Sequence, residues 1–359
     1  MKIAFVTPSL KMGGYEKVVV NYANELCKRG HNVDILCGHS EGDLLSNVLE
    51  NVRIIDFNSR ARTFVFHLIK YLKKNQVDIL YSAFRFYNCV SVIAKRVAKS
   101  EVCIYATQHG FESDKKSIIT ELYRYFINKA DCLIAVADQI AVYETKVLNL
   151  KNKNYYIFNN PVFDKRIDLK LEQHLWFEGT HLPIIAMAGR LEKDKGIQYG
   201  ISILYEILKH KNVNMLILGE GSYRKELEEE ADRLGISNNI CFGGFVSNPM
   251  GYLKQCDLFL HTALAEGFGN VIVEALYAEL PVCTTNCSGP LQIIENGKYG
   301  MCIGSVHDNE FSKNAAQKII DVLEGKVTFE GLKERAMSFD IEESTNQFLE
   351  PYYEYIKKN

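Results

Sequence analysis

Two carboxylates, Glu266 and Glu274, are separated by seven residues at a predicted junction between a loop and a helix. The glycines Gly267 and Gly269 allow backbone N–H groups to approach a ligand closely. A helix that begins near Asn270 adds a partial positive charge at its N-terminus, which favours phosphate. These features suit a ligand with phosphates at its centre and hydroxyl groups at both ends, such as a nucleotide-sugar. An ordinary loop-to-helix junction with two solvated glutamates explains the segment equally well when it is taken alone.

A pair of cations precedes this segment in the chain. Arg190 follows the apolar run at residues 183–188, and Lys195 comes shortly after it. An arginine just past a buried strand, with a lysine on the next turn, can bind the two phosphates of a diphosphate. Ordinary surface charges are the alternative; the position after a buried strand, together with the family resemblance described next, favours the diphosphate interpretation.

With these two segments the chain resembles the retaining glycosyltransferases of family 4. Matching elements extend from the loop Gly13-Gly14-x-Glu16 to the segment at residues 296–300, and so cover most of the chain. The resemblance implies an α/β protein of GT-B architecture, in which two Rossmann-like parallel-sheet domains face a central cleft. It assigns residues 1–161 to an acceptor-binding domain and residues 162–340 to a nucleotide-sugar-binding domain. A C-terminal helix in residues 341–359 is then expected to pack back on the first domain.

Short apolar runs alternate with helical periodicity along the chain, which predicts parallel sheets covered by helices. We expect ligands at the carboxyl ends of these strands. The pattern is interrupted at residues 162–181, which contain the single tryptophan, Trp176, and which we interpret as the domain linker. Pro351 is expected to kink or restart the C-terminal helix. The predicted strands are Ile3–Thr7, Val33–Cys37, Val52–Phe57, Asp78–Ser82, Cys103–Thr107, Cys132–Val136, Tyr155–Phe158, Pro183–Ala188, Asn214–Leu218, Ile240–Phe242, Asp257–His261, Pro281–Thr285 and Met301–Ile303.

The resemblance gives roles to residues of the second domain. Arg190 and Lys195 would bind the diphosphate and stabilise the charge that builds on it as the glycosidic bond breaks, without a metal. Glu274 resembles the carboxylate that accepts hydrogen bonds from the ribose, and Glu266 the one that reaches the hydroxyls of the donor sugar. The backbone amides of Phe268, Gly269 and Asn270 would donate hydrogen bonds to the sugar or the distal phosphate. The turn that contains Phe245 would hold the base.

Three positions of the first domain also match the family. Gly13 and Gly14 follow the first strand and would permit close approach of a phosphate or of the sugar. His109 matches the position that hydrogen-bonds the donor sugar, and it could also ease proton movement near neutral pH. A structural histidine is the alternative. Glu112, just beyond, is a weaker candidate for contact with the acceptor.

Composition and cysteine usage limit the class of protein. The chain has 359 residues and ten cysteines without any C-x-x-C pair. We expect a reducing cytoplasm, no structural disulfide, no signal peptide and no transmembrane segment. Cys283 and Cys287 have no histidine at zinc spacing, so we expect no metal site and no cofactor beyond the nucleotide-sugar substrate.

The charge is distributed unevenly between the two halves. Residues 1–161 carry 22 Lys and Arg against 15 Asp and Glu, whereas residues 162–359 carry 20 against 29. A basic half favours an anionic partner, and the cytoplasmic leaflet of a membrane fits better than nucleic acid because no nucleic-acid motif is present. Two basic, aromatic helices, Arg62–Lys74 and Lys115–Lys129, could lie on the inner face of the plasma membrane or simply cover the sheet.

The resemblance implies transfer of a sugar, with retention, from a nucleotide-sugar to a hydroxyl acceptor, the leaving phosphate taking the acceptor's proton. The segment at residues 287–300 is similar to that of polysaccharide-building bacterial members, which use UDP-sugars and lipid-linked glycan acceptors. Gln292 departs from the glutamate of many members, which suggests altered specificity. A UDP-sugar epimerase, a phosphorylase and a non-catalytic sensor remain alternatives, whereas the absence of a G-x-G-x-x-G fingerprint disfavours a dehydrogenase.

Overall fold

A computed structural model describes residues 1–11, 13–109, 118–147, 149–151, 154–166, 171, 182–246 and 248–358. The chain forms two compact units. Unit 1 comprises Met1–Asp164 together with Phe339–Asn359, and unit 2 comprises Lys165–Ser338. Glu112, Trp176 and the predicted helical residues 115–117 lie outside the described residues.

Unit 1 is built on a seven-stranded sheet in the order β3-β2-β1-β4-β5-β6-β7, and every neighbouring pair is parallel. The five inner strands are almost entirely buried, as expected for a parallel sheet that helices cover on both faces, whereas the edge strands β3 and β7 are half-buried or exposed. The order reverses between β1 and β4, which places a switch point at their carboxyl ends. The strands are β1 (Lys2–Thr7), β2 (Asn32–Cys37), β3 (Arg53–Asp56), β4 (Ile79–Ala83), β5 (Cys103–Gln108), β6 (Cys132–Ala135) and β7 (Tyr155–Ile157).

Helices connect these strands. α5 continues into a π-helical turn at Tyr143–Val147. α2 and α4 bury one side against the sheet and expose aromatic or aliphatic side chains on the other. The helices of unit 1 are α1 (Gly14–Lys28), α2 (Ala61–Lys74), α3 (Arg85–Ala98), α4 (Ile118–Ile127), α5 (Asp138–Val142) and, from the C-terminal segment, α13 (Ile341–Lys358).

The C-terminal helix α13 completes the core of unit 1. Phe348 is fully buried and packs against the rings of Phe5, Tyr22, Tyr81 and Tyr105, with centroids 4.9–5.8 Å apart. Pro351 was expected to kink or restart this helix. The restart is wrong, because a single helix runs through Pro351. A proline inside a helix removes one hydrogen bond, and packing of the apolar face on the sheet provides the compensating stabilisation.

Unit 2 has a six-stranded parallel sheet in the order β10-β9-β8-β11-β12-β13. Its switch point lies between β8 and β11, so that the loops leaving these two strands emerge side by side. The strands are β8 (Ile184–Ala188), β9 (Asn214–Leu218), β10 (Ile240–Gly244), β11 (Leu258–His261), β12 (Val282–Thr285) and β13 (Met301–Gly304). The helices are α6 (Ile197–Leu208), α7 (Arg224–Leu234), α8 (Pro249–Leu253), α9 (Asn270–Tyr277), α10 (Ser288–Ile293), α11 (Phe311–Leu323) and α12 (Leu332–Met337).

The predicted fold of two Rossmann-like parallel-sheet units is confirmed, and each of the thirteen predicted strands is present. Most strand bounds differ from the prediction by one or two residues at one or both ends. Some strands end before the apolar run does, as at Val136 and Phe158, which are buried but lie outside the strands. Others extend into polar residues, as at Asn32 and Gln108.

Candidate functional site

The loop after β8 is fixed by backbone hydrogen bonds to the loop after β9. The N–H of Gly189 donates to the carbonyl of Leu218 at 3.0 Å, and the N–H of Leu191 donates to that of Glu220 at 2.9 Å. A side chain at Gly219 would overlap with the carbonyl oxygen of Gly189, so a glycine is needed where the two loops meet. The exposed side chain of Arg190 therefore extends from a rigid backbone.

Glu192 strengthens this junction. Its carboxylate accepts hydrogen bonds from the backbone N–H of Ser222 at 3.1 Å and from the Ser222 hydroxyl at 2.8 Å. These bonds, with the nearby charge of Arg190, hold the pKa of Glu192 below its ordinary value. Glu192 is thus already engaged, and no hydrogen bond or ion pair holds the Arg190 guanidinium within the part of the chain that the structure describes. Arg190 is available for an anionic ligand.

Lys195 ends a short 3₁₀ turn, Lys193–Lys195, that lies against the loop after β11. Gly196 follows with φ of 68° and is the N-cap residue of α6. The Thr262 hydroxyl donates to the carbonyl of Gly196 at 2.8 Å, and the N–H of Leu264 donates to the carbonyl of Asp194 at 2.9 Å. Two hydrogen bonds from the β11 loop therefore set the position of the lysine.

Lys195 and Glu266 form a direct ion pair. The ammonium Nζ lies 2.7 Å from Oε2 of Glu266, and the two side chains are 22% and 20% exposed. At this partial exposure the pair is accessible to a ligand and is stronger than a fully solvated one. The structure thus brings together two residues that stand 71 positions apart in the chain.

His261 is a third member of this cluster that sequence reasoning missed. It ends the apolar strand β11, and its Nε2 lies 3.8 Å from the same Oε2 atom of Glu266. Its Nδ1 lies 2.9 Å from the hydroxyl of Thr284 on β12. The signal in the sequence was a lone histidine at the carboxyl end of a buried strand.

The environment of Glu266 keeps its carboxylate ionised. Burial by itself would raise the pKa of this group, but the nearby polar ring of His261 and the charge of Lys195 outweigh burial and lower the pKa to about 2. The carboxylate is therefore an acceptor of hydrogen bonds at any pH near neutrality. An ionised acceptor of this kind suits the hydroxyl groups of a sugar.

The loop from Glu266 to Gly269 leads into α9, as predicted, with Gly269 at φ of 98° just before the helix. A side chain at Gly289 would clash with the carbonyl oxygens of Gly267 and Phe268. The helix that contains Gly289, α10, therefore packs tightly against this loop. The first N–H groups of α9 have no acceptor within the helix itself, which is the usual property of a helix N-terminus. Glu274 lies on α9 and is only 4% exposed.

The turn proposed for the base follows β10. The carbonyl of Gly244 accepts a hydrogen bond from the N–H of Gly219 at 2.7 Å, which ties this turn to the loop after β9. The aromatic ring of Phe245 is 49% exposed. The structure therefore places Arg190, Lys195, Glu266 and Phe245 on loops at the carboxyl edge of one sheet.

In unit 1 the glycine loop follows β1, as predicted. The backbone of Gly13 is extended, with φ of −163°, and α1 begins at Gly14. A side chain at Gly13 would overlap only with the flexible carboxylate of Glu16.

His109 follows β5 of the same unit. Its Nε2 lies 3.1 Å from the hydroxyl of Tyr81, and its ring meets that of Tyr15 edge-on at 5.0 Å. Burial lowers the pKa of His109 to about 3, so the imidazole is uncharged near neutral pH. Desolvation thus removes the charged form from the neutral range, which argues against the predicted easing of proton movement by His109 near neutral pH.

No group of histidine, cysteine or acidic side chains arranged to hold a metal ion occurs among the described residues. Nor does any described helix combine the length and the apolar character that a bilayer span requires.

Comparison with known families gives two matches that together span most of the chain. Residues 12–166 match the model described as Glycosyltransferase Family 4, and residues 174–338 match the model described as Glycosyl transferases group 1. The boundary between the two matches falls near the boundary between the two units.

Two curated bacterial proteins are among the relatives. A Campylobacter jejuni protein named GalNAc-alpha-(1->4)-GalNAc-alpha-(1->3)-diNAcBac-PP-undecaprenol alpha-1,4-N-acetyl-D-galactosaminyltransferase is 26% identical over 367 residues, which cover 97% of each chain. The capsular polysaccharide biosynthesis glycosyltransferase CapM of Staphylococcus aureus is 31% identical over 154 residues, which cover 42% of this chain and 38% of CapM.

Among solved structures, Anabaena HepE in complex with UDP-glucose superposes with a TM-score of 0.81 at 21% identity, and both chains are covered completely. Identity at this level shows a common fold.

Proposed function

Because the chain belongs to glycosyltransferase family 4, with a group 1 glycosyltransferase module in its second half, we propose that it transfers a sugar from a UDP-sugar to a hydroxyl group with retention of configuration. The observation that carries the proposal is the Lys195–Glu266 pair beside the loop of Arg190, at the carboxyl edges of β8 and β11. This switch-point edge is where open parallel sheets bind ligands.

The chemistry follows from the charges at this edge. Arg190 and Lys195 supply two cations for a diphosphate, and the ionised Glu266 supplies an acceptor for sugar hydroxyls. As the bond between sugar and diphosphate breaks, negative charge grows on the leaving phosphate, and fixed cations stabilise that transition state more than the ground state. The proposed reaction needs no metal and no enzyme nucleophile, since the leaving phosphate accepts the proton of the attacking hydroxyl.

We propose a UDP-sugar because the structurally similar Anabaena protein was solved with UDP-glucose. For the acceptor we propose a lipid-linked or polysaccharide glycan of bacterial envelope synthesis. The names of the Campylobacter and Staphylococcus relatives, an undecaprenol-linked glycan transferase and a capsule transferase, support this choice.

A lipid-linked acceptor makes a membrane-facing surface useful, and unit 1 offers a suitable one. On α4, Leu122 and Tyr125 are each 55% exposed, and the ammonium of Lys129 lies 3.6 Å from the centre of the Tyr125 ring. Arg96 on the adjacent helix α3 also interacts with the Tyr125 hydroxyl. Exposed aromatic and aliphatic groups ringed by cations are typical of helices that bind anionic membrane interfaces.

The proposed function is tested by a thermal-shift panel of UDP-, GDP- and ADP-sugars, followed by a transfer assay with the stabilising donor. A ligand of the native state raises the midpoint of unfolding by mass action, so UDP-sugars should stand out. The product's anomeric configuration tests retention. Stabilisation by no nucleotide-sugar would contradict the proposal, and release of a sugar phosphate from inorganic phosphate would identify a phosphorylase instead.

A further inference from the structure

His261 is a buried polar side chain whose two ring nitrogens face different partners. It is 6% exposed, at the carboxyl end of β11, and it is directly opposite Thr284 in the register of β11 and β12. Nδ1 lies 2.9 Å from the Thr284 hydroxyl, and Nε2 lies 3.8 Å from Oε2 of Glu266. A buried histidine with both nitrogens directed at polar groups is held in one orientation.

Lys195 and His261 both approach the same oxygen of Glu266. Lys195 is 2.7 Å from Oε2, and the structure gives Oε1 no hydrogen bond from any described residue. One oxygen of the carboxylate is therefore held by the protein, and the other is left for a ligand.

Binding of a diphosphate changes this balance, because the phosphate oxygens compete with Glu266 for the ammonium group of Lys195. If Lys195 turns to the phosphate, Glu266 loses its nearest cation. An ionised carboxylate in a partly buried site is costly when it has no partner. A second partner on Oε2 would keep Glu266 ionised and in place during this exchange, and His261 is the side chain in position to be that partner.

The proton positions are compatible with this role in the uncharged state of the ring. The Thr284 hydroxyl has one proton, and Nδ1 of His261 at 2.9 Å is a nearer acceptor than the carbonyl of Thr285 at 3.2 Å. When the hydroxyl donates to Nδ1, the neutral imidazole carries its proton on Nε2, towards Glu266. The separation of 3.8 Å closes to a hydrogen bond with a movement of about 1 Å, or through one bridging water.

We propose that His261 is a positioning residue that holds Glu266 through Nε2 while Lys195 is exchanged from Glu266 to the donor's diphosphate. The inference rests on the proposed sugar transfer, since it assigns His261 a part in that reaction.

Two substitutions of His261 distinguish the role of Nε2 from that of Nδ1. The amide nitrogen of His261→Gln reaches approximately the place of Nε2, whereas that of His261→Asn reaches the place of Nδ1. With the donor identified in the thermal-shift panel, we expect His261→Gln to retain kcat within about threefold and His261→Asn to lower it about tenfold or more, the size typical of removing an outer partner. Unfolding midpoints of both variants measure any purely structural effect.

A double-mutant cycle tests whether the effect passes through Glu266. If it does, His261→Asn should cost about twofold or less in kcat when Glu266→Gln is already present. Equal losses in the Gln and Asn variants, or an undiminished effect of His261→Asn beside Glu266→Gln, would overturn the proposal. Should His261→Asn fail to fold, Thr284→Val removes the partner of Nδ1 instead, and its loss of kcat must show the same dependence on Glu266.

The proposed sugar transfer and the role of His261 can be tested separately. A wild-type protein that neither binds nor uses any nucleotide-sugar removes the proposed function and the role of His261 with it. A wild-type protein that transfers sugar, with additive effects in the cycle, removes the role of His261 alone.

Discussion

The backbones of Gly196 and Thr262 are in direct contact. The Thr262 hydroxyl donates to the Gly196 carbonyl at 2.8 Å, and a side chain at Gly196 would overlap with the Thr262 carbonyl oxygen. This contact joins the turn that ends at Lys195 to the loop that leads to Glu266, so it sets the geometry of their ion pair.

We therefore expect Gly196→Ala to destabilise the protein and to lower transfer activity. Gly235→Ala is a matched control, because Gly235 has nearly the same φ (70° against 68°) but open space around it. The left-handed backbone should cost the control about 1–2 kcal/mol, and the added overlap should cost Gly196→Ala roughly 1–3 kcal/mol more. Calorimetric unfolding of both variants measures the difference. Equal destabilisation would show that the close contact relaxes freely.

Removal of either cation should lower turnover strongly. We expect Arg190→Ala and Lys195→Ala each to reduce kcat roughly 100-fold to 1,000-fold, the scale of losing one group that stabilises transition-state charge. Lys193→Ala is the control, because Lys193 is an exposed cation of the same turn without a proposed role. Full activity in both cation variants would show that the diphosphate binds elsewhere.

The reaction should continue in excess EDTA. The proposed mechanism stabilises the leaving diphosphate with two cationic side chains, so a divalent ion is not required. Initial rates with and without chelator, after dialysis, should agree within about twofold. Abolition of transfer by EDTA and its recovery with added Mg²⁺ or Mn²⁺ would refute the metal-free mechanism.

His109 should make stability depend on pH in the acid range. Burial lowers its pKa from 6.5 to about 3, so the unfolded chain binds a proton below pH 6.5 that the folded chain does not bind until about pH 3. Folding stability from this group is therefore complete above pH 6.5 and falls as the pH falls below it.

At pH 5 the loss relative to pH 7 should approach about 2 kcal/mol. His109→Gln cannot bind the proton, so its unfolding midpoint should fall less steeply between pH 7 and pH 5 than that of the wild type. Parallel slopes would show that the folded protein accommodates a protonated His109.

The exposed surface of α3 and α4 should bind anionic vesicles in a salt-sensitive manner. Each cation near a charged surface contributes about 1 kcal/mol, so Arg96→Gln with Lys129→Gln should weaken binding roughly 30-fold in low salt. Lys225→Gln, at an exposed lysine of unit 2, is the control. The full chain is used because residues 339–359 belong to unit 1. Equal binding of the wild type to neutral vesicles would exclude the electrostatic attachment.

The strands could be predicted from sequence because each is a short apolar run between polar segments, and burial on both faces of a parallel sheet demands that pattern. The cations and carboxylates of the site were visible for a related reason, since they lie in the segments that follow β8 and β11. Local sequence patterns do not reveal the order of the strands in the sheet. The side-by-side position of β8 and β11 is what brings Lys195 to Glu266 across 71 residues.

His261 escaped prediction because its meaning depends on neighbours from other strands. Thr284 lies 23 residues away and becomes a partner only when β12 pairs with β11. The Glu192–Ser222 bonds and the low pKa of His109 likewise arise from tertiary contacts. Pro351 was expected to interrupt its helix because a proline removes one backbone hydrogen bond. Local sequence does not show the burial of Phe348, which stabilises the helix despite the missing hydrogen bond.

The C-terminal helix has a consequence for biosynthesis. Phe348 sits among the rings of Phe5, Tyr22, Tyr81 and Tyr105, so the first unit lacks a central piece of its interior until the last helix arrives. On the ribosome, residues 165–338 of the second unit are translated before that piece. The first unit is made earlier but cannot complete its core until the second unit has been made, so a chain that stops before this helix lacks Phe348 from the core of the first unit.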